Sequence, residues 1–108
     1  MATTYKVLGQ SAPAATTATT LYTVPSATET VLSTLSVCNR GSVGTFRVAV
    51  RPAGASLANQ HYIVYDASVA ANDSLFLTIG VTLAATDVVT VYASSADFTF
   101  SAFGSETA

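Results

Sequence analysis

The feature that most constrains this chain is an alternation of apolar and polar residues at every second position. Thr, Val, Tyr, Phe and Ile dominate the alternating segments, and no helical stripe of useful length is present. About eight short strand candidates follow one another between turn residues, which is typical of a sandwich or barrel. The sequence therefore predicts an all-β, single-domain antiparallel β-sandwich or jelly-roll or barrel-like fold over residues 1–108, with flexible tails at 1–4 and 104–108.

Gly, Pro, Asn and Asp mark the predicted strand ends. The predicted strands are 5–8, 19–24, 30–39, 45–51, 61–65, 74–83, 88–94 and 98–103. Strands 30–39 and 45–51 flank a glycine-containing turn and are predicted to pair as a hairpin. A bend or bulge is expected at Gly80, and residues 67–71 are the only expected helical turn.

Alternation also predicts which side chains face the core. In strand 30–39 one face is expected to hold Val31, Leu35 and Val37, with Ser33 among them, and the other Leu32, Thr34, Ser36 and Cys38. In strand 45–51 the core-facing residues are predicted to be Phe46, Val48 and Val50. Arg47 and Arg51 should then point outward with Ala49 between them. In strand 61–65, Tyr62 and Val64 are expected to oppose Ile63 and Tyr65.

Charged residues make up only 9% of the chain, against about 25% in a typical globular protein. The chain has one lysine, although a free monomer normally protects its surface and sheet edges with charges. Either a homo-oligomer buries much of the surface, with a trimer as the expected form, or Thr and Ser hydroxyls keep the surface of the chain hydrated. A net charge of −2 without a basic cluster predicts no nucleic-acid binding. Apolar runs far shorter than about 20 residues predict no membrane span, and no signal peptide is expected.

The rarer residue types gather in residues 37–66. This stretch holds three arginines, Arg40, Arg47 and Arg51. Their planar guanidinium groups are suited to bidentate pairing with carboxylates. Their predicted partners lie on a neighbouring subunit or another protein, and the alternative is pairing within the chain or solvation. Cys38 and His61 would suit a nucleophile and base, but nothing in the sequence brings them together. Cys38 is expected to pack as a small hydrophobe and His61 to be a packing or interface residue.

The remaining polar residues suggest weaker alternatives. Four carboxylates lie at predicted strand ends, where two would serve glycoside hydrolysis and a cluster would hold calcium: Asp66, Asp73, Asp87 and Asp97. Aspartate at such positions is ordinary turn chemistry. Glycan binding would use exposed aromatic residues, for which Tyr5, Tyr22 and Tyr65 are candidates, but Trp is absent. The sequence therefore predicts no catalytic residue, no cofactor and no metal.

Four segments carry a resemblance to a known group of proteins. They are LGQSAPAATTATTLYTVP, VLSTLSVCNRG, FRVAVRPAGASLANQHYIVYD and AATDVVTVYAS. Together they resemble small virion structural proteins of tailed bacteriophages, especially phages of cyanobacteria and marine bacteria. The likeness runs from Leu8 to about Gly104, and its most recognisable parts are the N-R-G turn at 39–41 and the R-P-A-G segment at 51–54.

The resemblance implies a virion protein that is made in the host cytoplasm and released by lysis. The leading hypothesis is a capsid decoration or cement protein, which binds the major capsid protein or another virion protein and stabilises subunit junctions. The closest alternative is a tail fibre, knob or baseplate component that contacts the host. A more distant alternative is a glycan-binding or glycan-hydrolysing domain that uses two of the aspartates.

Overall fold

A computed structural model describes residues 2–108 of the chain, most of which lie in eight strands. The strands are β1 (Thr3–Ser11), β2 (Thr19–Thr23), β3 (Glu29–Asn39), β4 (Gly44–Arg51), β5 (Tyr62–Val69), β6 (Ser74–Leu83), β7 (Val88–Ala93) and β8 (Phe98–Thr107). Two single turns of 3₁₀ helix, Pro52–Gly54 and Asn59–His61, interrupt the connection from β4 to β5. The predicted helical turn at 67–71 is absent, because residues 67–69 complete β5 and a tight turn follows.

The eight strands form two antiparallel sheets of four strands each. Sheet I has the order β1-β8-β3-β6, and sheet II has the order β2-β7-β4-β5. In this order every pair of consecutive strands except β4 and β5 lies in different sheets, which is the order of a jelly roll. The predicted all-β sandwich is therefore confirmed, and the strand order selects the jelly-roll form from the predicted alternatives.

The predicted hairpin between the third and fourth strands is wrong. β3 pairs with β6 and β8, whereas β4 pairs with β5 and β7, so the turn between them crosses from one sheet to the other. A turn signal only reports that the chain reverses, not which sheet it enters next. Crossing over lets the apolar side of β4 pack against sheet I, where the ring of Phe46 lies 6.1 Å from that of Phe100 and 6.5 Å from that of Phe98. These three rings are at most 1% exposed and form the middle of the core.

The inward-facing residues of β4 are as predicted. Phe46 and Val48 are fully buried, and Val50 packs against the same core from a partly buried position. Arg47 and Arg51 lie on the other side of the strand. Each large apolar side chain buried here contributes about 1.5–3 kcal/mol, so the core depends on this alternation being kept.

The predicted faces of β3 are wrong in their first half because the strand contains a bulge. The register with both neighbouring strands shifts between Leu32 and Thr34, and the hydroxyl of Ser33 donates to the carbonyl oxygen of Phe103 at 3.1 Å. The extra residue reverses the alternation. Leu32 therefore shares the buried face with Leu35 and Val37, while Val31 is 42% exposed.

β6 contains the irregularity expected at Gly80. Its register against β3 shifts in this region, and Gly80 has a φ of 58°, a left-handed conformation that glycine adopts without steric cost. Of the apolar residues predicted to share one face, Ile79 departs from the prediction and is 39% exposed beside the bulge.

Both segments predicted to be loose tails are paired strands. β1 begins at Thr3, and β8 runs to Thr107 between β1 and β3. Ala2 and Ala108 exchange two backbone hydrogen bonds of 2.8 and 3.0 Å. Of the residues in the two predicted tails, Met1 lies outside the described residues.

Candidate interaction surfaces

Arg47 lies in a stack of aromatic rings on the outer side of sheet II. Its guanidinium carbon is 4.2 Å from the ring centre of Tyr65 and 4.3 Å from that of Tyr92, so a ring covers each side of the cation. Tyr65 in turn meets Tyr62 edge to face, with ring centres 4.9 Å apart. Tyr62 and Tyr65 thus lie on the same side of β5, and their predicted opposition is wrong.

Two register shifts in β5 create this arrangement. The first lies between the pairs Ala49–Tyr62 and Val48–Val64 and turns Tyr62 to the side of Tyr65. The second lies next to Asp66. Between the pairs Phe46–Ala67 and Val48–Val64, β4 advances two residues while β5 advances three. The backbone at Asp66 takes the left-handed conformation, with a φ of 53°. The bulge places the Asp66 carboxylate beside Arg47.

Asp66 holds Arg47 in a two-point ion pair. Nε of Arg47 donates to Oδ1 of Asp66 at 2.7 Å, and Nη2 donates to Oδ2 at 3.3 Å. These hydrogen bonds raise the pKa of Arg47 above its usual value, although partial burial acts in the opposite direction. The side chain of Arg47 is 23% exposed and that of Asp66 is 44% exposed, so the pair lies at the surface. Nε and Nη2 of Arg47 are already bound to Asp66.

Arg51 holds the long β4–β5 connection against sheet II. Its Nε donates to the hydroxyl of Thr90 in β7 at 3.1 Å, and its Nη1 donates to the carbonyl oxygens of Ala55 at 2.9 Å and Gly54 at 3.4 Å. Thr90 is only 6% exposed. Arg51 therefore connects the loop to the strands instead of projecting into solvent.

Arg40 links two turns at one end of the sandwich. Its Nη2 donates to the carbonyl oxygen of Ala96 at 3.2 Å, and its backbone N–H donates to the carbonyl oxygen of Asp97 at 2.9 Å. All three arginines thus have partners within the chain, which is the alternative to subunit contacts. Their contact with a neighbouring subunit stays a prediction.

Asn39 is the buried residue of the N-R-G turn and was not singled out by sequence reasoning. Asn39 is only 1% exposed. Its Nδ2 faces the carbonyl oxygens of Ser42 at 2.7 Å, Val69 at 3.3 Å and Ala70 at 3.3 Å. Its Oδ1 accepts from the N–H of Gly41 at 3.0 Å. The side chain therefore ties the β3–β4 turn to the end of β5.

His61 and Cys38 belong to different parts of the sandwich. His61 is 9% exposed in the 3₁₀ turn before β5, and its Nδ1 accepts from the N–H of Ala58 at 3.0 Å. Cys38 is half-buried in β3 of sheet I. The structure does not bring the two together as a nucleophile and base. His61 is thus buried within one chain, and its contact with a neighbouring subunit stays a prediction.

The four aspartates do not converge. Asp66 pairs with Arg47, Asp73 accepts from its neighbouring N–H, and Asp87 accepts from the N–H groups of Ala53 and Ala84, both at 2.9 Å. Within residues 2–108, no group of three or more His, Cys, Asp and Glu side chains is arranged to hold a metal ion. Asp73 and Asp87 bind backbone N–H groups of turns and loops, as aspartate at strand ends commonly does, whereas Asp66 acts within a strand.

A polar network between the sheets was missed at the sequence level. The Tyr22 hydroxyl donates to Oε2 of Glu106 at 2.5 Å and lies 2.8 Å from the Thr30 hydroxyl, while Nζ of Lys6 is 3.3 Å from Oε1 of Glu106. Burial, followed by the hydrogen bond to Glu106, raises the pKa of Tyr22 to about 12. The hydrogen bond from Tyr22, and then Lys6, lowers the pKa of Glu106. No local pattern predicts this network, because Tyr22 and Glu106 are 84 residues apart.

The outer side of sheet I carries exposed aromatic side chains at both of its edge strands. Along one row across the sheet, Tyr5 pairs with Ser105, Ser105 with Val31, and Val31 with Thr82. Tyr5 is 84% exposed, and Phe76 on β6 is 70% exposed. The outward side chains from this row to the opposite end of the sheet are apolar or carry only hydroxyl, amide or thiol groups; we call this surface the uncharged face. Its largest apolar members are Tyr5, Val7, Val31, Phe76 and Phe103.

The charged residues of sheet I lie elsewhere. Lys6 and Glu106 turn to the inner side, toward Tyr22 of sheet II. Glu29 begins β3 and pairs with Thr107, beyond the Tyr5 row, so it borders the uncharged face at one end. The two sides of the sandwich therefore differ. The outer side of sheet II carries the charged residues Arg47, Arg51 and Asp66, whereas the uncharged face carries no charged side chain.

The tyrosines suggested as glycan platforms divide into two groups. Tyr5 and Tyr65 are exposed, at 84% and 59%, but Tyr22 is 7% exposed and belongs to the core. The exposed ring of Tyr65 is already engaged with Arg47 on one face.

No helix in the described part of the chain has the length and apolar character needed to span a membrane. Comparison with protein-family models, with curated proteins and with solved structures found no match to this chain.

Proposed function

We propose that this chain is a bacteriophage virion structural protein that binds the outer surface of the capsid as an oligomer and stabilises the junctions between capsid subunits. The observation that carries the proposal is the uncharged face, on which exposed Tyr, Phe and Val side chains lie among hydroxyls, because such a face supports association of the chain into an oligomer. Exposed apolar patches of this kind mark sites of protein association. The resemblance of the sequence to virion structural proteins supplies the biological setting.

The arrangement of polar groups supports a contact role over a catalytic one. The charged side chains discussed above bind turns, loops or strands of the same chain, and the aspartates are dispersed. Jelly rolls are common in viral capsid domains and also form lectins and cupins, so the fold agrees with the proposal.

The mechanism follows from the number of copies. Each copy adds a small area of buried apolar and hydroxyl surface across a junction, and the contributions add over the particle. Stabilisation of this kind needs no single indispensable residue. Loss of the protein should therefore leave particles that assemble but resist heat or internal pressure less well.

The test is the location and copy number of the chain in purified particles produced by the genome that encodes it. Quantitative mass spectrometry should give a copy number comparable with that of the major capsid protein, and a particle reconstruction should place the chain on the capsid exterior. Particles made without the chain should release DNA at a lower temperature, and added purified protein should restore the wild-type temperature. A location on the tail alone would replace the proposal with the tail alternative, and absence from the particle would overturn both.

A further inference from the structure

The uncharged face is chemically complementary to the same face of a second copy of the chain. A surface of Tyr, Val and Phe interleaved with hydroxyls buries no charge when it meets an identical surface, and its hydroxyls can donate and accept in turn. A charged partner group buried there would find no opposite charge, which is costly. The face therefore favours an uncharged partner surface.

From this we propose that the uncharged face packs against the same face of a second copy of this chain, in a two-fold symmetric dimer. A two-fold contact uses the same patch on both subunits, whereas a three-fold ring must match the patch with a different surface. The outer side of sheet II carries Arg47 and Asp66 and is crossed by the loop that Arg51 holds. The ends of the sandwich carry Arg40 and Asp87, among other charges. The uncharged face thus finds its best match in its own copy.

The size of the face agrees with such a dimer. Four strands spaced by about 4.8 Å and a length of about 23 Å from Val31 to Cys38 give a flat area of roughly 440 Å² for each copy. Protruding side chains increase this flat area. A dimer would therefore bury roughly 1,000 Å² in total, near the lower limit for a specific interface. We therefore expect a reversible dimer that dissociates on dilution. This inference does not depend on the virion role.

The substitution Phe76→Lys tests the proposal. Phe76 is 70% exposed within one chain, so lysine should leave the fold intact while placing a charge in the contact. Its matched control is Ile63→Lys, which changes an apolar residue that is 47% exposed on β5 of the opposite sheet. Circular dichroism melts of both variants establish that each is folded.

Light scattering should give wild-type protein and the Ile63→Lys variant twice the 11.0 kDa mass of one chain at high micromolar concentration. The Phe76→Lys variant should have the mass of one chain at the same concentration. A second readout is Cys38, which lies on the uncharged face and is the only cysteine of the chain. Its alkylation by a bulky maleimide should be several-fold faster in Phe76→Lys than in wild type or Ile63→Lys.

Three outcomes would overturn the proposal: wild-type protein with the mass of one chain at every concentration, a mass of three chains, or equal loss of association in both variants. None of them bears on whether the chain is present in virions, which the particle composition decides separately. Conversely, a dimer through this face in a chain that is absent from particles would leave the present proposal standing and overturn the virion role.

Discussion

Nε of Arg47 donates a 2.7 Å hydrogen bond to Oδ1 of Asp66, and this pair exists because β5 carries one residue more than its neighbour β4 between their flanking pairs. The bulge brings the carboxylate beside the cation, and Tyr65 and Tyr92 cover the two sides of the guanidinium. The guanidinium group of Arg47 thus has its ion-pair partner within the same chain.

The substitution Arg47→Lys should lower the melting temperature more than its retained charge suggests. Lysine cannot make the two-point contact with Asp66, and it stacks less well between two rings. Asp66→Asn should lower the melting temperature less, because the aromatic contacts remain. Thermal melts at low and high salt check this: the Asp66→Asn effect should shrink with salt, since exposed ion pairs are screened, while most of the Arg47→Lys effect should persist. Equal effects of the two variants would mean that stacking contributes little.

The substitution Arg51→Ala should loosen the loop from Pro52 to His61 without unfolding the sandwich. It removes the hydrogen bonds that hold the carbonyl oxygens of Gly54 and Ala55 against β7. Hydrogen exchange measured by mass spectrometry should show faster exchange confined to this loop, with β3 and β8 unchanged. Unchanged exchange in the loop, accompanied by a loss of association, would instead assign Arg51 to a subunit contact.

The substitution Asn39→Asp should destabilise the protein by about 3 kcal/mol at pH 7, because it directs a carboxylate at three carbonyl oxygens in a buried site. This environment raises the pKa of the new carboxyl group in the folded state above about 3.9, its unfolded value. The folded state then holds its proton more tightly, so the variant is most stable at low pH and loses stability as pH rises. Urea titrations of wild type and variant at pH 4 and pH 7 measure this; a difference independent of pH would contradict it.

The substitution Gly104→Ala tests the close approach of β8 to β3. A Cβ at Gly104 would collide with the carbonyl oxygen of Val31, a backbone atom that cannot move without disturbing the sheet. We expect a loss of about 3 kcal/mol, the upper part of the usual range for overpacking. Ser105→Ala, one residue further along β8, should change stability by no more than about 0.5 kcal/mol. Chemical denaturation of the two variants gives both values.

The Tyr22–Glu106 hydrogen bond should make stability depend on pH at both extremes. The lowered pKa of Glu106 gives a contribution that is present above pH 4.5, the ordinary value, and is lost as pH falls through the folded-state pKa. The raised pKa of Tyr22 gives a contribution that is present below pH 10 and is lost as pH rises toward about 12.

Two variants isolate these contributions. Glu106→Gln should cost about 1 kcal/mol at pH 7 and flatten the acid side of the stability profile. Glu29→Gln, at the start of β3, is the control that should leave this side unchanged. Tyr22→Phe should flatten the alkaline side, so that its stability difference from wild type shrinks by about 2 kcal/mol between pH 10 and pH 12. A profile that keeps its shape in both variants would exclude the network as its source.

Local patterns predicted a good part of the structure. Ser74–Leu83 was predicted at its observed bounds, and Phe46 and Val48 lie inward with Arg47 outward, as alternation requires. Gly80 marked a real irregularity. The residues of the candidate surfaces were predicted less well: the arginines were identified as notable, but their partners within the chain were not, and the uncharged face was not recognised as a surface.

What the sequence by itself determined is the all-β class, the number and approximate positions of the strands, and the scarcity of charge, because each follows from composition or from neighbours along the chain. Only the tertiary structure decided which side of the sandwich carries the charges. One extra residue at Ser33 turns Val31 outward and Leu32 inward, and the jelly-roll order places β3 and β4 in different sheets. Tyr22 and Glu106 meet across 84 residues of chain. Alternation is a local property, whereas a bulge, a sheet crossing and a distant pairing are selected by the packing of the whole core.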